Sequence, residues 1–159
     1  MPIKPIYSMQ FDTPDEGTYL MQVDTVEFNS TDKGLNCTVR SVIIDAVENS
    51  HCVGMKVFDN FPLYTEFGRG RLLGFLIKAT GLKEREYPDD YFSDPKVQQT
   101  IVKKAPGQKF GGLIRHSKGE KGIFANIREY YSYNEYAEKF GTIETGNKQA
   151  EAEEENLGW

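Results

Sequence analysis

The chain has 159 residues, which corresponds to one domain, and it carries a formal net charge of −5. Hydrophobic residues make up 38% and aromatic residues 13%, a globular composition that is rich in rings. No apolar run approaches the roughly 20 residues of a membrane helix, and the N-terminus has no continuous apolar segment typical of a signal peptide. The two cysteines, Cys37 and Cys52, are too few for a disulfide framework, and we expect both to be reduced in a cytoplasm.

The first half of the chain predicts an antiparallel β-meander. An irregular, polar arm comes first. β-branched and aromatic residues that alternate with polar ones, separated by short polar turns, then predict strands at Thr18–Asn29, Leu35–Ala46 and Met55–Tyr64. In the first strand, strict alternation places Tyr19, Met21, Val23 and Thr25 on one face.

The second half predicts helices followed by a closing hairpin. Leucines at helical spacing and a glycine in the C-cap position predict a helix over Gly68–Gly81. Asp94 followed by Pro95 predicts the start of a short helix that runs to Lys104. Two further strands, Gln108–His116 and Gly122–Tyr131, flank a polar turn.

This order predicts a mainly β fold, a five-stranded OB-like antiparallel barrel with a helical insertion between strands 3 and 4. The predicted boundaries are an N-terminal arm over 1–17, an OB-fold domain over 18–141 and an acidic tail over 142–159. The tail is polar and has no apolar period, so we expect it to be disordered, with an apolar tip at Trp159.

The net charge hides a basic segment. Between Lys96 and Arg128 there are eight cations and one acid, whereas both ends of the chain are acidic. Aromatic residues are interleaved with these cations, a mixture typical of single-strand binders, in which bases stack on rings beside a basic groove. The last predicted strand shows it on the face with Phe124, Asn126, Arg128 and Tyr130, opposite an interior face with Ile123, Ala125 and Ile127. Three other rings either fill the core or face the groove: Phe58, Phe61 and Phe110.

Two smaller features leave alternatives open. The stretch from Gly68 to Arg71 either contacts phosphates with backbone amides and arginines or is a flexible helix entry.

Cys37, His51 and Cys52 supply at most three metal ligands, and no catalytic motif is present. The sequence therefore predicts no catalytic residue, no metal and no cofactor, with two semi-buried thiols and two surface histidines.

Three stretches carry a resemblance: Asp32–Gly34, Val57–Leu63 and Gly68–Leu76. In these the chain resembles a family of small phage- and prophage-encoded proteins that are associated with replication or recombination genes, which implies the cytoplasm of a bacterial host. The overall plan, an OB domain and an acidic tail with an apolar tip, is similar to that of single-stranded DNA-binding proteins. That likeness implies that the tail recruits replication or recombination proteins through Glu153, Glu154, Glu155 and Trp159. Bacterial members end in Pro-Phe rather than Gly-Trp, which leaves the partner open.

These observations predict a protein that binds single-stranded DNA without sequence specificity, through phosphate contacts and stacking, as a monomer or a homo-oligomer. The predicted binding residues are Lys33, Arg40, Lys56, Arg69, Arg71, Lys109, Arg115, Phe124, Arg128 and Tyr130. The alternative is a protein-interaction module on an OB-like scaffold, for example an inhibitor of a host or phage enzyme. A small nuclease is disfavoured, since no cluster of carboxylates or histidines is evident in the sequence.

Overall fold

The computed structural model of the chain describes residues 13–119, 122–141 and 158–159. Five strands form one antiparallel sheet: β1 (Gly17–Thr31), β2 (Gly34–Ala46), β3 (Lys56–Pro62), β4 (Lys109–Gly119) and β5 (Gly122–Ser132). Their order in the sheet is β3-β2-β1-β4-β5, so β1 is central and β3 and β5 are the edges. The prediction of a mainly β fold with five antiparallel strands is confirmed.

Within the described ranges, three α-helices accompany the sheet: α1 (Glu66–Thr80), α2 (Pro95–Lys104) and α3 (Tyr133–Phe140). In the chain, α1 and α2 lie between β3 and β4. The Thr65 hydroxyl accepts a hydrogen bond from the Gly68 amide at the start of α1, and Gly81, at φ 77°, ends it. Asp94 caps α2 through the Lys96 amide. Among the described residues, no helix has the length and apolar character needed to cross a membrane.

The sequence did not predict α3, although the signal for it is local. Ser132 accepts a hydrogen bond from the Glu135 amide, and the Glu135 carboxylate accepts one from the Ser132 amide, which together form a capping box. Lys78 on α1 donates to the same carboxylate at 2.8 Å. The hydrogen bonds from Lys78 and Ser132 lower the pKa of Glu135.

A β-bulge in β1 reverses the direction of its side chains. Tyr19, Met21 and Val23 are buried in the main core, and the pairing with β2 then shifts between Val23 and Thr25. Beyond the shift, the core residue is Val26 rather than Thr25, which is exposed. The predicted strict alternation is wrong past Val23, because one extra residue in a strand moves every later side chain to the other face.

The sheet carries apolar side chains on both faces. The main core packs one face against α1 and α2 and includes Leu72, Phe75 and Ile101. A smaller cluster covers the other face, where Leu20 of β1 packs with Tyr133 and Tyr136 of α3. The short helix α3 therefore closes the side of the sheet that α1 and α2 leave uncovered.

The sheet is not closed, because its edge strands β3 and β5 do not pair within the described part of the chain. Side chains bridge the gap instead. Arg71 of α1 places Nη2 3.2 Å from Oδ1 of Asp59 on β3 and 2.8 Å from the hydroxyl oxygen of Tyr130 on β5. The Tyr130 hydroxyl in turn donates to Asp59 Oδ2. These three residues, the Asp59–Arg71–Tyr130 cluster, join both edge strands to α1.

The cluster is mostly withdrawn from water. The Asp59 side chain is 13% exposed and that of Arg71 is 24% exposed. Burial raises the pKa of Asp59, while the Arg71 charge and the Tyr130 hydroxyl act against that rise. Burial also raises the pKa of Tyr130. Removing one partner of such a buried ion pair destabilises the fold by more than the intact pair stabilises it. The reason is that the other charge stays buried without a partner of opposite sign.

We expect Tyr130→Phe to lower the free energy of unfolding by about 1–3 kcal/mol, because it removes the hydroxyl that hydrogen-bonds both Asp59 and Arg71 in a cluster mostly withdrawn from water. Tyr131→Phe is the matched control, since its hydroxyl donates to exposed Glu129 and its loss should change that free energy by less than about 0.5 kcal/mol. Urea unfolding midpoints at constant m-value measure both effects. Equal losses from the two variants would contradict the role of the cluster.

Candidate nucleic-acid interface

Two half-exposed phenylalanines lie on the facing edge strands. Phe58 of β3 is 50% exposed and Phe124 of β5 is 51% exposed. Both line a cavity of about 280 Å³, which we call the edge cavity. Its remaining lining residues are Thr13, Pro14, Lys56, Val57, Ile123 and Ala125. Two rings and a lysine therefore border the opening that the unpaired strands leave.

The alternation of β3 explains why Phe58 faces outward. Val57 and Phe61 are buried, whereas Lys56, Phe58 and Asn60 are exposed. The sequence prediction left Phe58 undecided between core and surface, and did not include it among the binding residues. Phe58 lies two residues after Lys56 and two residues before Asn60. This alternation with polar residues is the signal that could have predicted its position on the surface.

The outer face of β2 continues this surface. Arg40 lies directly opposite Phe58, and Thr38 lies opposite Asn60. Cross-strand partners share a face, so the ring is flanked by polar side chains. Thr38 donates a hydrogen bond of 3.0 Å to the Asn60 side chain. The surface beside the edge cavity is therefore polar, with Phe58 as its exposed ring.

The β4–β5 hairpin contributes a similar face. Phe124 lies opposite Ser117, and Asn126 lies opposite Arg115. The Asn126 side chain donates to the Ser117 hydroxyl at 2.6 Å. Phe124, Arg115 and Asn126 therefore share one side of the hairpin, as the sequence predicted for Phe124 and Asn126.

Three of the predicted cations lie on the meander that carries Phe58. Lys33 is exposed in the turn between β1 and β2, and Lys56 lines the edge cavity. Arg40 forms an ion pair of 3.1 Å with Glu27, in which both side chains are about half exposed. An exposed pair of this kind contributes little free energy, so Arg40 can exchange Glu27 for a phosphate at small cost.

Arg71 and Tyr130, both predicted to bind nucleic acid, also hold the fold together. Arg71 belongs to the Asp59–Arg71–Tyr130 cluster, and its guanidinium also lies 4.9 Å from the centre of the Phe61 ring. The Tyr130 ring packs edge-on against Phe75, in the core. Tyr130 is therefore half-buried on the core side of β5, and the prediction that it shares a side with Phe124 is wrong.

A bulge in the hairpin causes this difference. Leu113 pairs with Glu129, but the next residue of β4, Ile114, pairs with Ile127. Arg128 is therefore the extra residue of β5, and the alternation reverses after it. Tyr130 consequently lies on the core side with Ile127, rather than on the outer side with Phe124.

The other predicted cations are spread over the molecule. Arg69 donates to the Leu63 carbonyl oxygen at 3.0 Å, and the Lys109 ammonium lies 5.6 Å from the Tyr133 ring. Arg128 lines a second cavity, of about 510 Å³, together with Phe67, Arg71 and Tyr130. Among the described residues, the predicted binding residues are thus divided between the edge cavity, this second cavity and the remaining surface.

The glycine before Arg69 has a packing explanation. A Cβ added at Gly68 would lie 1.9 Å from the Pro62 carbonyl oxygen, so only glycine allows α1 to start so close to β3. The Gly68 amide already donates to the Thr65 hydroxyl at 2.9 Å. Neither observation points to a phosphate cradle, and the segment lies within α1, where Arg69 and Arg71 are half-buried.

Trp159 is not the exposed tip that the sequence predicted. The side chain is 8% exposed, and its Nε1 donates to the hydroxyl of buried Thr80 at 2.7 Å. The Lys83 amide donates to the carbonyl oxygen of Gly158 at 2.7 Å. An indole gains apolar burial and satisfies its single donor in such a site. The predicted partner residues Glu153, Glu154 and Glu155 lie outside the described residues.

No family model and no curated protein matches the chain. The function is therefore inferred from the geometry of the chain itself.

We expect Gly158→Ala to release Trp159. Gly158 has φ +112°, and an added Cβ would lie 2.6 Å from the Tyr87 hydroxyl. Because Trp159 is the one tryptophan of the chain, release should shift its fluorescence to longer wavelength and increase acrylamide quenching.

Gly107→Ala is the matched control, since Gly107 also has a positive φ, +89°, but its added Cβ meets nothing within 4 Å. It should leave the tryptophan emission unchanged. An unchanged emission in Gly158→Ala as well would mean that Trp159 is not held as described.

Proposed function

We propose that the protein binds single-stranded DNA without sequence specificity, across the edge cavity and the outer face of β2 and β3. The observation that carries the proposal is the pair of half-exposed rings, Phe58 and Phe124, beside Lys56 at the same opening. Exposed aromatic side chains next to cations are the combination with which single-strand binders hold bases and phosphates.

Strand topology supports the same proposal. We infer that the sheet is an OB-fold barrel left open between β3 and β5, with the helices inserted between strands 3 and 4. In OB-folds, β1 pairs with both β2 and β4, and this pairing is present here. Oligonucleotides bind the β2–β3 face and the β1–β2 and β4–β5 loops of that fold. The corresponding positions carry Arg40 and Phe58 on the face, Lys33 in the first loop and Phe124 beside the second.

The energetics favour stacking over charge. One base stacked on an aromatic side chain is worth about 1–3 kcal/mol, and every base offers such a face. The proposed phosphate contacts are Lys33, Arg40 and Lys56, a small set for a polyanion. Stacking and phosphate contacts do not read the edges of the bases. The proposed binding therefore tolerates any sequence.

The biological setting is a further part of the proposal. A role in phage replication or recombination, and the recruitment of partner proteins by the acidic tail, rest on the resemblance described above. The docked position of Trp159 means that a partner has to displace the indole from Thr80 before it can use this residue.

The proposal predicts that fluorescence polarisation with labelled oligo-dT detects binding that weakens with salt. Three phosphate contacts would give a log–log slope of about −2, at roughly 0.7 per contact on single strands. Phe58→Ala and Phe124→Ala should each weaken binding about 5- to 150-fold, the equivalent of one lost stack. Duplex DNA, which hides its base faces, should bind more weakly than the single strand.

Phe67→Ala is the matched control. Phe67 is 78% exposed, more than either ring of the edge cavity, and it does not line that cavity. Its replacement should leave the affinity unchanged. No binding at low salt would overturn the proposal and favour a protein-interaction module, and a loss in Phe67→Ala alone would move the site to the second cavity. Tighter binding of RNA would correct the choice of nucleic acid.

A further inference from the structure

The segment of residues 13–16 is held against the sheet from two directions. The Asn49 side chain, in the connection between β2 and β3, donates to the Glu16 carbonyl oxygen at 2.9 Å. On the other side, His116 of β4 donates from its ring to the Pro14 carbonyl oxygen at 2.6 Å and from its amide to the Glu16 carboxylate at 2.8 Å. The backbone on either side of Asp15 is therefore held against the sheet.

Two further potential metal ligands lie close to the Asp15 carboxylate. Its Oδ2 lies 2.8 Å from Nε2 of His51, which donates to it. Cys52 follows directly in the same 3₁₀ turn, Ser50–Cys52. One ligand atom from each of Asp15, His51 and Cys52 lies within 4.8 Å of the other two. An oxygen, a nitrogen and a sulfur thus converge at one point of the surface.

The surroundings make this a built site rather than a chance surface pair. Asp15 and His51 are exposed, whereas Cys52 is fully buried. The Cys52 sulfur therefore lies on the protein side of the three ligand atoms. The buried Tyr19 hydroxyl donates to the Asp15 carbonyl oxygen at 2.6 Å and lies 3.5 Å from Cys52 Sγ. Asn49 donates to the same hydroxyl at 3.2 Å. These bonds fix the Asp15 backbone beside the thiol.

We propose that Asp15, His51 and Cys52 bind a divalent transition metal, with zinc as the expected ion and water at a fourth position. Carboxylate oxygen, imidazole nitrogen and thiolate sulfur are the ligands that zinc takes in proteins, at about 2.0–2.3 Å. Tetrahedral ligands at those lengths lie about 3.3–3.6 Å from one another, so the three atoms need only small side-chain movements. On binding, the proton on Nε2 of the neutral His51 ring moves to Nδ1 by exchange with solvent, which frees Nε2 for the metal, and the thiol proton of Cys52 passes to solvent.

The sequence did not predict this site, because its members are far apart in the chain. Asp15 lies 36 residues before His51, and only the folded sheet brings the two together.

The metal would tie residues 13–16 to the β2–β3 connection. Because Pro14 lines the edge cavity, the ion would also fix one wall of that cavity, although the metal site does not depend on the proposed function.

Cobalt titration of the reduced full chain tests the proposal, since tetrahedral cobalt bound to a thiolate absorbs strongly in the near ultraviolet. We expect saturation at one ion per chain, and bleaching of the band when zinc is added. Cys52→Ser should abolish the thiolate band. His51→Gln and Asp15→Asn should each weaken cobalt binding by more than about tenfold. Loss of a residue that only hydrogen-bonds a metal ligand can already weaken metal binding by about that factor.

The chain supplies a matched control. Cys37→Ala removes the other cysteine, which is buried elsewhere. This variant should retain the band, and circular dichroism checks that every variant is folded. Absence of a thiolate band at saturating cobalt would overturn the proposal. A band that survives Cys52→Ser, or that depends on Cys37, would overturn it equally.

Discussion

The fold depends on how a five-stranded sheet with two unpaired edges keeps those edges together. Backbone hydrogen bonds do not join β3 to β5, so the guanidinium of Arg71 joins them, with Asp59 on one strand and Tyr130 on the other. A carboxylate and a guanidinium that are mostly buried are stable only while each has its partner, and the buried hydroxyl satisfies both. The cluster bridges the gap between the two strands at one place, beside the second cavity. The gap stays open at the edge cavity, between Phe58 and Phe124.

Under the proposed function, structural and binding roles would be divided between residues that look alike in the sequence. Tyr130 and Phe124 both lie in the last strand among cations, yet one packs on Phe75 and the other is half exposed. The difference arises from the single extra residue in β5, which reverses the alternation after Arg128. A similar bulge in β1 exchanges the faces beyond Val23. Bulges depend on pairing between strands, so alternation within one strand cannot reveal them.

Local signals predicted the elements well, and long-range contacts account for what they missed. Asp94 and Pro95 fixed the start of α2, and the strands lie within a few residues of their predicted limits, because caps and turns act over neighbouring residues. The capping box at Ser132 carried a comparable signal for α3, which sequence reasoning did not use. By contrast, the burial of Trp159 against Thr80 and the approach of Asp15 to His51 join residues far apart in the chain. No periodicity or motif predicts such contacts.

The proposed division of roles would also allow an acidic chain to present a surface for a polyanion. Of the predicted cations, Arg71 is neutralised by Asp59 in the interior, and Arg40 is partly balanced by Glu27 on the surface. Few positive charges remain beside the edge cavity, so electrostatic attraction alone would give weak binding there. Stacking needs no net charge, and it is undiminished by acidic groups elsewhere in the chain. A binding surface built around two rings is therefore compatible with a net charge of −5, whereas one built on phosphate contacts alone would not be.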